Sequence, residues 1–168
     1  MSLISFIKDA GEKLFGKGEA KQAQEAAQAA PTPENVAALS AKAGAAIADY
    51  IRAQGLEVEG LDVSYDAPKM TVTVSGVAAD QATKEKVVLC CGNVHSVSTV
   101  NDLMTVKAAA QPEAQWYTVA KGDNLSKISK QFYGDANKYP QIFEANKPML
   151  THPDKIYPGQ VLRIPPAA

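Results

Sequence analysis

The strongest constraint on how this chain can fold lies in its last third. Tyr117-Thr118-Val119 is a short β-prone run that leads through Lys121 into a turn at Gly122-Asp123, with Asn124 and Leu125 behind it. Two stretches with helical apolar spacing come next, and Pro158-Gly159 then turns the chain into a final apolar strand through Val161, Leu162 and Ile164. Residues 115–168 therefore read as a compact βααβ unit. Asp123 or Asn124 is placed to cap its first helix, while Leu125, Ile128, Phe132, Ile142 and Phe143 are placed to fill its core.

The preceding residues divide into segments of different character. In 1–16, Leu3, Phe6, Ile7, Ala10, Leu14 and Phe15 recur at helical spacing, which predicts a short amphipathic helix limited by Gly11 and Gly16 and docked on the domain that follows. Residues 17–35 are rich in Ala and Gln and read as a helical or flexible segment cut by Pro31 and Pro33. A long helix starts near Thr32 or Pro33, runs through Val36, Leu39, Ala43, Ile47, Tyr50 and Ile51, and stops at Gly55, with Gly44 marking a break. Leu61, Val63 and Tyr65, then Met70, Val72 and Val74, alternate with polar neighbours around an Asp66-Ala67-Pro68-Lys69 turn, the pattern of a β-hairpin with one buried face. Asp80 can cap a helix through Ala82, Val87, Val88 and Cys91 that Gly92 stops, and Val97–Val106 reads as a third strand. The order over 36–107 is α-β-β-α-β, a small α+β sandwich with helices on one sheet face, joined to the βααβ unit by a linker at 108–114.

Composition narrows the function. The 168 residues are 46% hydrophobic, ordinary for globular protein and enough for two small domains. Residues 115–168 carry seven Lys or Arg against four acids, a formal +3 that leaves −4 for 1–114. Neither half has the dense basic face that nucleic acid requires, so no nucleic-acid partner is expected. Cys90 and Cys91 are adjacent and offer neither an ordinary cross-link nor metal-ligand spacing, which suits a reducing compartment. Lys8, Asp9, Glu12 and Lys13 interrupt the apolar N-terminus before a secretory segment could form, and no run approaches the roughly 20 apolar residues of a membrane span. A cytoplasmic monomer without a transmembrane segment is expected.

The motif residues Tyr117-Thr118-Val119, Lys121-Gly122-Asp123-Asn124-Leu125-Ser126 and Ile156-Tyr157-Pro158-Gly159-Gln160-Val161-Leu162-Arg163-Ile164-Pro165 resemble a LysM domain. Val72-Thr73-Val74-Ser75-Gly76-Val77 and Val97-Ser98-Thr99-Val100-Asn101, in their α-β-β-α-β context, resemble a BON domain. A BON domain followed by LysM and preceded by Phe6-Ile7-Lys8-Asp9-Ala10-Gly11-Glu12-Lys13-Leu14 is similar to the Kbp family of small bacterial potassium-binding proteins over nearly the whole chain. Phe15, where a tryptophan is expected, and the Ala/Gln-rich stretch depart from that pattern.

The resemblance implies a cytoplasmic potassium sensor or buffer in which the BON domain and the N-terminal helix bind K⁺ through backbone carbonyls, with Rb⁺ or Cs⁺ as substitutes. Ion binding would then order BON against LysM. A large, weakly hydrated cation suits a ring of carbonyl dipoles, and helix C-termini carry free carbonyls. The site carried over from the family is Ile7, Ala10, Phe15, Gly92, Val94 and Val97, through main-chain oxygens. LysM relatives bind N-acetylglucosamine glycans such as peptidoglycan, so the alternative is a glycan-binding protein of the cell envelope acting during stress. Its candidate groove is Gly122, Asp123, Asn124, Leu125, Pro153, Asp154 and Ile156. LysM also offers a surface for an unidentified protein partner.

Other signals carry little chemistry. His95 and His152 lack neighbouring ligands for zinc. Asp9 and Glu12 resemble a solvated helix pair, and Ser96 and Ser98 beside His95 have no orienting acid. Catalysis is not expected.

Overall fold

The computed structural model describes residues 2–5 and 18–167. The first domain begins with strand β1 (Ser2–Ser5), followed by α1 (Gly18–Ala29) and α2 (Pro33–Ala53). The helix expected over 1–16 is corrected at its start. Ser2–Ser5 pairs antiparallel with β4 (Thr99–Asp102), setting Leu3 opposite Asn101 and Ile4 opposite Val100. A short apolar run fits either period, and here the open edge of β4 decides for a strand. The rest of that expected helix falls outside the described residues.

Local chemistry sets the bounds of α2. The Thr32 side chain accepts from Asn35 N, Pro33 opens the first turn, and Gly55 at φ +72° follows the Gln54 cap. The break expected at Gly44 does not occur. Gly44 lies within the helix because α2 crosses β2 so closely that a Cβ there would sit 2.9 Å from Val63 O. Strands β2 (Val58–Asp66) and β3 (Thr71–Ala78) form the hairpin, with Tyr65 opposite Val72 and Val63 opposite Val74.

Helix α3 (Gln81–Gly92) makes the crossover from β3 to β4, which runs parallel to it. The expected third strand is split. After β4, Met104 N donates to Asp102 Oδ1 at 2.9 Å, and pairing with β3 resumes at β5 (Thr105–Val106). The strand order is β1-β4-β3-β2, with β5 continuing beside β3. Ile47, Ile51, Val72, Val74, Val87, Val88 and Val100 fill the core between sheet and helices.

The second domain is β6 (Gln115–Thr118), α4 (Leu125–Tyr133), a 3₁₀ turn (Ala136–Lys138), α5 (Tyr139–Ala145) and β7 (Val161–Ile164), the expected βααβ order. β6 and β7 pair antiparallel, and Val119, Leu125, Ile128, Ile142, Leu150, Leu162 and Ile164 form the core. All four residues of β7 are buried. Leu162 and Ile164 face their own domain, while Val161 joins the core of the first.

Candidate functional site

Helix α3 is buried nearly all round in its second half: Glu85 and every residue from Val87 to Gly92 are buried. A helix needs two partners for that. One is the sheet with α2, and the other is the second domain.

Three contacts make the junction. The Arg163 guanidinium is paired with the Glu85 carboxylate, which also accepts from Ala114 N at 3.0 Å and Gln81 Nε2 at 2.8 Å. Cys90 Sγ lies 3.1 Å from Met149 Sδ, and burial pushes the Cys90 thiol up to about 12. Asn93 donates from Nδ2 to Val161 O at 2.9 Å and accepts at Oδ1 from Val161 N at 3.0 Å. Asn146 does the same for Arg163, with Nδ2 on Arg163 O and Oδ1 on Arg163 N, both at 2.8 Å. The strand edge of β7 turned away from β6 is thus closed by two side-chain amides, one from each domain, where an open edge would leave polar groups bare.

The turn after α3 holds three of the expected ion-site residues. Gly92 is buried, and Val94 and Val97 are wholly buried in the core; none of the three has a polar side chain, so only their main chain can offer oxygens. Val97 N donates to Val94 O at 3.1 Å, leaving that carbonyl a second lone pair. Between them Ser96 sits at φ +75°, a left-handed conformation costing a non-glycine residue on the order of 1–3 kcal/mol and concentrated at functional sites. Its carbonyl accepts from the Tyr65 hydroxyl at 2.8 Å, and burial, then the nearby Asp66 charge, pushes Tyr65 up to about 12. His95 and Ser96 side chains bond each other at 3.1 Å. The turn is therefore a carbonyl-bearing loop without carboxylates, chemistry that fits a large monovalent cation. Ile7, Ala10 and Phe15 lie outside the described residues. Among the described residues no three His, Cys, Asp or Glu gather as a metal cluster.

The seven candidate groove residues divide. Gly122 turns the chain at φ +88°, and its carbonyl accepts from Lys127 Nζ at 2.9 Å. Asp123 accepts from the Tyr117 hydroxyl at 2.7 Å and Ala120 N at 2.9 Å, bonds that hold its carboxyl below the usual range, Tyr117 foremost. Asn124 caps α4 and Leu125 is core. Ile156 packs against that core, Pro153 is half-buried and Asp154 is exposed. Most of these side chains already serve the fold.

Asn93 and Glu85 are the residues that sequence reading missed. From sequence, the helix stop is placed at Gly92 and the Asn93 side chain is given no role. The available signal was the Val87-Val88-Leu89-Cys90-Cys91 run, too many consecutive apolar residues for one helix face.

The BON domain family matches residues 35–108 and the LysM domain family residues 117–165. The potassium binding protein Kbp of Escherichia coli is 45% identical over 167 residues, covering 98% of this chain and 99% of Kbp. The chain belongs to the Kbp family. Shorter similarities include an uncharacterized protein of Deinococcus radiodurans, 51% identical over 49 residues, 29% of this chain and 19% of that protein. An esterase of Mycobacterium tuberculosis, Rv1288, is 45% identical over 53 residues, 32% of this chain and 11% of the enzyme. Against such a small shared part, this Kbp-family chain is matched end to end by a binding protein. Among the described residues no helix is long and apolar enough to cross a membrane.

Proposed function

We propose that this chain binds K⁺ as a cytoplasmic sensor or buffer. The ion would be held by main-chain carbonyls of Gly92, Val94 and Val97 in the BON domain together with Ile7, Ala10 and Phe15 of the N-terminal segment. The observation that carries this reading is the 45% identity over 98% of the chain to a protein named for potassium binding. The strained turn after α3, anchored by buried Val94 and Val97, supports it, because weak carbonyl dipoles can replace the hydration shell of K⁺ without supplying full negative charge. Rb⁺ and Cs⁺, of similar size and charge density, are expected to substitute. Ion binding favours the docked arrangement of BON and LysM, and the protein acts as a monomer without catalysis.

Thermal unfolding in K⁺, Na⁺ and choline chlorides at equal ionic strength tests this, since a ligand of the native state raises its stability by mass action. A K⁺-specific rise is expected, and deletion of residues 1–16 should abolish it. Superimposable curves in the three salts would overturn the proposal.

The LysM match supports a second reading, glycan binding at the envelope. It predicts that the protein is retained on peptidoglycan and released when Pro153 and Asp154 are replaced. The cap and core duties of Asp123, Asn124 and Leu125 favour the ion reading for this chain.

A further inference from the structure

The carboxamide of Asn93 is held between two candidate ion-site residues. Its backbone ends α3, with N–H directed at Leu89 O and Cys91 O, and Gly92 and Val94 flank it. Its side chain leaves that turn altogether and spans the domain junction, where it occupies both the N–H and the carbonyl of Val161. The geometry is that of one more residue of a β-ladder, supplied by a side chain. Asn93 is the C-terminal cap of α3 at φ −87°, ψ 13°, a bridge-region conformation at negative φ that other residues also adopt, so the backbone does not require asparagine there. The amide is explained by what it grips.

We propose that Asn93 is the positioning residue that couples the ion-bearing turn after α3 to docking of LysM, by clamping the open edge of β7. This rests on the K⁺ reading above and adds to it the route by which occupancy reaches the second domain. A movement of the Gly92–Val94 backbone carries the Asn93 side chain with it. The two bonds to Val161 reach good geometry only when the turn holds one conformation. An ion that selects that conformation therefore also selects the docked domain.

Cys90 supplies the measurement. Cys90 and Cys91 are both fully buried in the BON core cluster, and it is the Cys90 thiol that lies 3.1 Å from Met149 Sδ of LysM. Undocking should expose the first before the second. The rate at which a maleimide modifies Cys90 in the full-length protein, located by fragment mass spectrometry, thus reports opening of the junction. In wild type, K⁺ should slow this reaction relative to Na⁺. Met149→Ala should label faster in both salts yet keep the K⁺ effect, because it loosens the interface away from the turn. Asn93→Ala should label about tenfold faster in Na⁺, within the usual range of coupling between sites, and lose the K⁺ effect. Its K⁺-specific rise in unfolding temperature should persist, since the carbonyls remain.

Asn93→Asp keeps an acceptor for Val161 N–H but sets an oxygen against Val161 O, and gives the same result in a second fold-compatible variant. K⁺ slowing Cys90 labelling in both Asn93 variants by the wild-type factor would overturn the coupling role while leaving ion binding intact. A wild-type protein with no K⁺-specific thermal shift would remove the ion reading, and the coupling with it.

Discussion

Arg163→Met should be the most damaging conservative change at the domain junction. The Arg163 and Glu85 side chains are only 10% and 6% exposed, so removing the guanidinium strands a carboxylate where water has little access. Breaking a buried ion pair from one side costs roughly 3–5 kcal/mol. Glu85 keeps two donors, Gln81 Nε2 and Ala114 N, which places the expected loss near the lower end, about 3 kcal/mol. The loss cannot exceed the free energy of docking, because LysM can lift away and let water reach Glu85. Urea unfolding should therefore be followed both by far-ultraviolet circular dichroism and by the fluorescence of Trp116, which lies on β6 and packs against the core of the first domain. The fluorescence transition should move to lower urea first. Glu85→Gln combined with Arg163→Met removes both charges while preserving an acceptor for Ala114 N–H, and should return to within about 1 kcal/mol of wild type. Arg163→Met within 1 kcal/mol of wild type, or a double variant no more stable than the single one, would refute the reasoning.

Gly44→Ala should destabilise by about 1–3 kcal/mol in urea titrations, although alanine favours helix, because the new Cβ meets Val63 O at 2.9 Å. Asp80→Ala should cost about 1 kcal/mol through loss of the α3 cap, whose Oδ1 accepts from Thr83 N at 2.7 Å. That bond lowers the Asp80 pKa from 3.8, so its contribution is full above the unfolded value and disappears as pH falls through the folded one. The gap between wild type and Asp80→Ala should accordingly be constant near neutrality and close in acid below pH 3.8. Tyr65→Phe leaves the Ser96 carbonyl without its hydroxyl donor and should cost about 1 kcal/mol, with a smaller K⁺-specific thermal shift than wild type.

The parts of this fold that are written locally could be read from local residues. Thr32, Asp80 and Asn124 cap helices where the sequence suggests, because a short polar side chain and the following backbone N–H groups suffice to make the cap. The β2–β3 hairpin follows from alternation that only one register can bury. What was illegible depends on partners far along the chain. Leu3-Ile4 became strand because β4 offered an edge, and Gly44 stayed in helix because β2 passes beside it. In the candidate site, Gly92 announced a helix end, and the turn through buried Val94 and Val97 followed. The destination of the Asn93 and Glu85 side chains could not be foreseen, since it is fixed by docking a second domain rather than by any neighbour in sequence.

If Asn93 couples ion binding to docking as proposed, the clamp also limits how large a response this protein can give. Two hydrogen bonds between Asn93 and Val161, at a net worth of roughly 0.5–1.5 kcal/mol each, can bias docking by about 1–3 kcal/mol. That corresponds to about 5–150-fold, well short of the roughly 10⁴-fold differential affinity needed to drive an equilibrium from one extreme to the other. The remaining junction contacts, Glu85 with Arg163 and Cys90 with Met149, lie away from the turn and hold LysM in place whether or not an ion is bound. Docking linked to one ion site should then follow a simple saturation curve whose amplitude is set by the clamp, as suits a buffer or a proportional sensor. A titration of Cys90 labelling against K⁺ should be non-cooperative and should reach a plateau no more than about 150-fold below the K⁺-free rate. Suppression by several further orders of magnitude would mean that contacts beyond Asn93 carry the coupling, and a steep transition would mean that more than one ion binds.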